Sequence, residues 1–118
     1  MKKIMYMLVL LLALQIAAAD LVITEVMHSP TETSSDTDGE WVEVFNSGTE
    51  SVDLTDYKLD GYNFDDVTIE SGEYIVIARE LMDGDDEDNE SFECAFGNCN
   101  GLWDEPYRGV DGYFSLSE

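Results

Sequence analysis

Residues 38–46 read DGEWVEVFN, and how that stretch is built decides the fold. A Gly ends a turn, and an extended chain then places Val42 and Val44 on one side with Trp41 and Phe45 on the other. Period two among β-branched and aromatic residues is the pattern of a strand with a use for both faces. Glu40 and Glu43 are its carboxylates. At i and i+3 on an extended chain they project to opposite faces, so they cannot form the carboxyl pair that a glycosidase holds across one cleft. Glu25, in LVITEVM (21–27), stands opposite Glu43 if those two segments pair, and two adjacent carboxylates could bind a cation. The simpler expectation is that all three are polar positions of strands whose other faces are buried.

Outward from this stretch, further strand signals alternate with turn residues. LVITEVM is rich in β-branched residues, and HSPTETSSDTDG (28–39) is a polar connection. NSGTES is a turn, VDLTDYKL (52–59) a third strand or a strand with a tight bend, and Asp60-Gly61 a hairpin-type dipeptide. Tyr62 and Phe64 begin a short segment, VTI (67–69) another, and EYIVIA (73–78) has the clearest strand character of all. No window shows an amphipathic helix. Short strands with closely spaced turns predict an all-β, antiparallel sandwich or barrel. From Leu81 the texture changes to an acidic run and then an aromatic-rich region holding Phe92, Phe96, Trp103, Tyr107, Tyr113 and Phe114.

The first 19 residues stand apart. Lys2 and Lys3 precede an apolar run from Ile4 to Ile16 that ends in Ala17-Ala18-Ala19. This is the pattern of a cleavable secretory signal, and cleavage is expected after Ala19; an uncleaved N-terminal anchor is the alternative. No later stretch is apolar enough to span a membrane. The remaining residues, 20–118, suffice for one small domain and one core. All 27 acidic residues lie there, against three basic ones, Lys58, Arg79 and Arg108, leaving a formal charge of −24. Such a surface repels phosphate backbones and argues against direct nucleic-acid binding. The charge fits either a solvation device for high salt or neutralisation by bound divalent cations.

The candidate calcium site is the acidic loop with Asp83, Asp85, Asp86, Glu87, Asp88 and Glu90, because hard cations take many oxygen ligands. Its competitor is a solvated charge run. An EF-hand starting at Asp83 would need Gly at 88 and Glu at 94, where Asp88 and Cys94 stand; one starting at Ser34 would need a closing carboxylate where Phe45 stands. Cys94 and Cys99, the only cysteines, are expected to pair in an oxidising compartment. A zinc site would need further ligands, and the only histidine, His28, is distant in sequence. No Gly-x-Ser-x-Gly, phosphate-cradling or zinc motif occurs, and no named residue supports an enzyme.

The order ITEVMHSP, DGEWVEVFNSGTESVDLTDYKL and SGEYIVIA resembles the lamin-tail domain family over most of residues 21–78. The resemblance rests on Glu25, Pro30, Glu40, Trp41, Glu43, Asn46, Asp53, Leu54, Tyr57, Leu59 and Gly72. It implies an immunoglobulin-like antiparallel β-sandwich in which Trp41 is packing mass and the carboxylates are satisfied by neighbouring backbone. The family usually continues with a further strand pair after a Leu-Ser…Gly-Asp stretch, whereas this chain ends FSLSE, so an incomplete domain with an unpaired edge is expected. The acidic loop and the cysteine pair read as local elaborations. Exported relatives suggest an extracellular or cell-surface, non-enzymatic module for adhesion or tethering that binds a surface protein or glycan. The alternatives are an N-terminal accessory module of a longer secreted hydrolase, a nuclease or phosphoesterase, and a calcium-binding structural piece of a cell envelope. Fold alone does not choose among them.

Overall fold

A computed structural model describes residues 20–28, 39–82 and 91–116. The expected leader and its cleavage point, most of the 28–39 connection and the acidic loop at 83–90 lie outside the described residues. In chain order the elements are β1 (Leu21–Met27), β2 (Trp41–Asn46), β3 (Val52–Asp53), a 3-10 turn (Leu54–Asp56), β4 (Lys58–Leu59), β5 (Tyr62–Asn63), β6 (Thr68–Ile69), β7 (Tyr74–Ala78), α1 (Phe92–Phe96) and β8 (Arg108–Asp111).

Alternation in β2 sets the architecture. Val42, Val44 and Asn46 are buried, while Trp41, Glu43 and Phe45 on the other face are half-buried. β2 pairs antiparallel with β1 and with β7, bringing Val42 opposite Ile77 and Val44 opposite Ile75, in a sheet ordered β1-β2-β7-β8. The two-stranded pairs β3–β6 and β4–β5 lie against its inner face. Val52, Leu54, Phe64, Val67 and Ile69 from that layer meet Val42, Val44, Ile75 and Ile77, with Phe114 completing the core. Asp60 (φ 44°) and Gly61 (φ 82°) turn the β4–β5 hairpin, the paired positive φ values that Asp-Gly supplies most readily.

Two features depart from the reading of the sequence. β8 runs parallel to β7, Ile75 opposite Arg108 and Ala78 opposite Asp111, so residues 79–107 form the crossover a parallel pair needs. That crossover contains α1, where no helix was expected. Ser91 caps it, its Oγ accepting from Cys94 N at 3.1 Å. Five residues are too few to display a 3.6-residue period. The crossover builds a second cluster on the outer face: Val76, Ala78, Leu81 and Phe92, with Trp41, Trp103 and Tyr107 packed on them. Trp41 is therefore packing mass, edge-on to Phe92 at 5.4 Å. Double coverage explains why Ile75 to Ala78 are all buried without alternation.

Asn46 joins the layers. Fully buried, it donates from Nδ2 to Glu50 O (2.8 Å) and Ile69 O (3.0 Å) and accepts from Gly48 N (3.0 Å) at Oδ1. One amide thus satisfies groups on the turn after β2 and on β6. Replacing it with Ala strands the buried Ile69 carbonyl, at about 1–3 kcal/mol, and removes a partner from the part-buried Glu50 carbonyl and Gly48 N–H, which water reaches more readily. Asn46→Ala is expected to lower the unfolding free energy by about 2–4 kcal/mol, read from the urea midpoint; a loss below about 1 kcal/mol would show that the bridge carries little.

Candidate functional site

Glu40 and Glu43, singled out in the sequence, each accept a hydrogen bond within the fold. Glu40 is 4% exposed, its Oε2 accepting from Leu116 N at 2.7 Å while its carbonyl accepts from Arg79 N at 2.9 Å. Glu43 differs from the backbone-satisfied carboxylate expected, since its Oε1 accepts from the Thr24 hydroxyl at 2.6 Å. Glu25 does stand opposite Glu43 in the ladder, exposed, beside a bulge between Ile23 and Glu25. His28 is exposed at the end of β1. Asp83, Asp85, Asp86, Glu87, Asp88 and Glu90, the candidate calcium ligands, lie outside the described residues.

Cys94 and Cys99 form a disulfide, with Cα atoms 4.0 Å apart. Among the described residues, Glu93, Cys94 and Cys99 bring potential metal-ligand atoms within 4.8 Å of one another. Both sulfurs are committed to each other, however, and the fully buried Glu93 carboxylate accepts from Asn100 N (2.5 Å) and Gly101 N (3.3 Å). A buried carboxyl group that accepts from two amides has its hydrogen-bonding needs met within the turn. Together they brace the turn after α1, and Glu93 carries no sequence signal of that role.

An open cleft of about 700 Å³ lies between the β4–β5 hairpin and the segment after β8. Asp60, Asn63, Asp65, Arg79 and Tyr113 supply its chemistry. Arg79 donates to Phe114 O, and its guanidinium lies 4.9 Å from the Tyr113 ring centroid, a cation–π contact that fixes the ring. Tyr113 is nonetheless 79% exposed. Of the aromatics in the region after Leu81, Phe92 and Phe114 are buried, Trp103 and Tyr107 half-buried, and Phe96 and Tyr113 exposed. The polar members of the cleft come from a hairpin turn and the end of β7, too far apart in sequence to read as one site.

Electrostatics elsewhere follow local contacts. The Thr55 hydroxyl and then its N–H hold the Asp53 carboxyl below the usual range, in its role as cap of the 3-10 turn. Burial first, then the charges of Glu105 and Glu43, push the Tyr107 phenol up.

The family model described as Lamin Tail Domain matches residues 15–111. No curated protein and no solved structure matches the chain. The matched span extends well past Ala78 and takes in α1, the disulfide and β8.

Two outcomes are expected. Opening the short disulfide loop by Cys94→Ser with Cys99→Ser should cost about 2 kcal/mol in urea unfolding. Because the folded Tyr107 pKa is raised, its contribution to stability is complete below about pH 10 and is lost as pH rises through the folded value. An ultraviolet phenolate titration should show a late component, absent in Tyr107→Phe.

Proposed function

The chain belongs to the lamin tail domain family, and from that premise we propose that it is an exported, non-catalytic recognition module, used in adhesion or tethering, whose Tyr113 cleft binds a surface glycan. The observation that carries this reading is the exposed Tyr113 ring, in contact with Arg79, in a cleft also lined by Asp60, Asn63 and Asp65. A pyranose presents a face of weakly positive C–H bonds, which rests on the negative face of an aromatic ring. Its hydroxyls both donate and accept, which suits carboxylate, amide and guanidinium side chains around one rim. Two carboxylates against one guanidinium favour neutral or amino sugars over phosphorylated ones.

Export is supported by the Lys2-Lys3 start, the apolar run and the Ala17-Ala18-Ala19 site, and by a disulfide suited to an oxidising compartment. Among the described residues, no helix is long and apolar enough to cross a membrane.

The test is binding of neutral and N-acetylated oligosaccharides to the protein by calorimetry. Tyr113→Ala should weaken binding about tenfold, the loss of one stacking contact, and Phe96→Ala, on the other face, should leave it unchanged. Failure of every oligosaccharide to bind, or indifference to Tyr113→Ala, would end this reading.

A further inference from the structure

Away from the Tyr113 cleft, the main sheet ends on one side at β1 among the described residues. β1 is its outermost strand, seven residues long, and among the described residues its ladder partner is β2. Proteins commonly blunt such edges with Lys, Pro, short length or a bulge. β1 has the bulge at Thr24 but is long and carries neither Lys nor Pro. Instead it exposes Val22 (43%), Ile23 (58%) and Val26 (54%). Leu21 and Ile23 line a mainly apolar groove of about 240 Å³ together with Val42, Val44, Leu59 and Phe64, and Tyr57 and Lys58 also border it. The groove reaches residues of the main core.

We propose that this edge receives an extended, cationic strand from another protein, which adds to β1 by backbone hydrogen bonds and places alternate apolar side chains over the groove. An added strand alternates its faces. One set of side chains therefore meets Ile23, Leu59 and Phe64. Because Lys58 borders the groove, the cationic side chains of the added strand belong on its other face, beside Glu25 and Glu43. Charge selects the partner. The chain carries −22 overall, and β1 is flanked by Asp20 and contains Glu25, so a second copy meets like charge while Lys or Arg on the incoming strand meets opposite charge. The groove and the Tyr113 cleft share no lining residue, so either can hold without the other.

The experiment uses a labelled synthetic peptide alternating Val and Lys over the length of β1, read by fluorescence anisotropy at about 0.15 M salt, where distant charge is screened. Controls are the same composition in block order, an alternating Val and Glu peptide, and the Val and Lys peptide N-methylated at alternate amides. The alternating cationic peptide should bind, with each control about tenfold weaker or worse. Ile23→Lys with Val26→Lys should weaken binding by a similar factor, and Tyr113→Ala should leave it unchanged. Equal binding of the block-order or N-methylated peptide would reduce the effect to charge alone and overturn the proposal without needing any protein variant. So would concentration-dependent dimerisation, by sedimentation, that the double variant abolishes, because the occupant would then be a second copy.

Discussion

β7 is apolar and buried on both faces from Ile75 to Ala78, and everything else in the structure answers that constraint. A sheet buried once needs one cover; this one needs two. The inner cover is the layer of β3–β6 and β4–β5, whose short strands supply Val52, Phe64 and Ile69. The outer cover is the crossover, where Phe92, Trp103 and Tyr107 close over Val76, Ala78 and Trp41. Short pieces of chain hold these positions only if their own polar groups are satisfied. That is the work of Asn46 inside and of Glu93 with the disulfide outside. Trp103 shows the same economy, donating from Nε1 to Tyr107 O at 2.8 Å while its ring packs on Phe92.

Charge is organised around the same layers. Of the three cations beyond the leader-like segment, both arginines reach across the fold. Arg108, on β8, pairs with Glu73 at 3.2 Å and donates to Thr68 O on β6; Arg79 donates to Phe114 O. Each arginine contacts a backbone carbonyl as well as a side chain. Among the described residues most carboxylates are exposed, and the buried ones, Glu40 and Glu93, accept from backbone amides. Buried acids in so negative a chain are tolerable because each has a local donor.

Much of this was legible before the coordinates. Alternation in DGEWVEVFN placed Val42 and Val44 on one face and Trp41 on the other, and Asp60-Gly61 announced a hairpin by its backbone demands. EYIVIA declared a strand, though its lack of alternation only makes sense once a second cover is seen. The missed elements are those without a local signature. β8 reads RGVD, with one β-branched residue, and earns strand geometry by pairing in parallel with β7. α1 is one turn and a little more, stabilised by Ser91 and by what Phe92 touches. The Tyr113 cleft unites residues around 60, 79 and 113 through tertiary placement alone.

The link between Glu40 and Leu116 joins positions 76 residues apart, and the parallel β7–β8 pair likewise waits on a crossover of nearly thirty residues. Chain closure over such distances loses entropy before any contact repays it. The β2–β7 ladder, from Trp41 with Ala78 to Phe45 with Tyr74, closes a loop of similar length, so it is the order of synthesis that brings the outer cover and the residue 108–116 segment last. During synthesis, then, the apolar outer face of β7 stands bare until the final part of the described chain has emerged, and that interval is when the molecule is most open to aggregation.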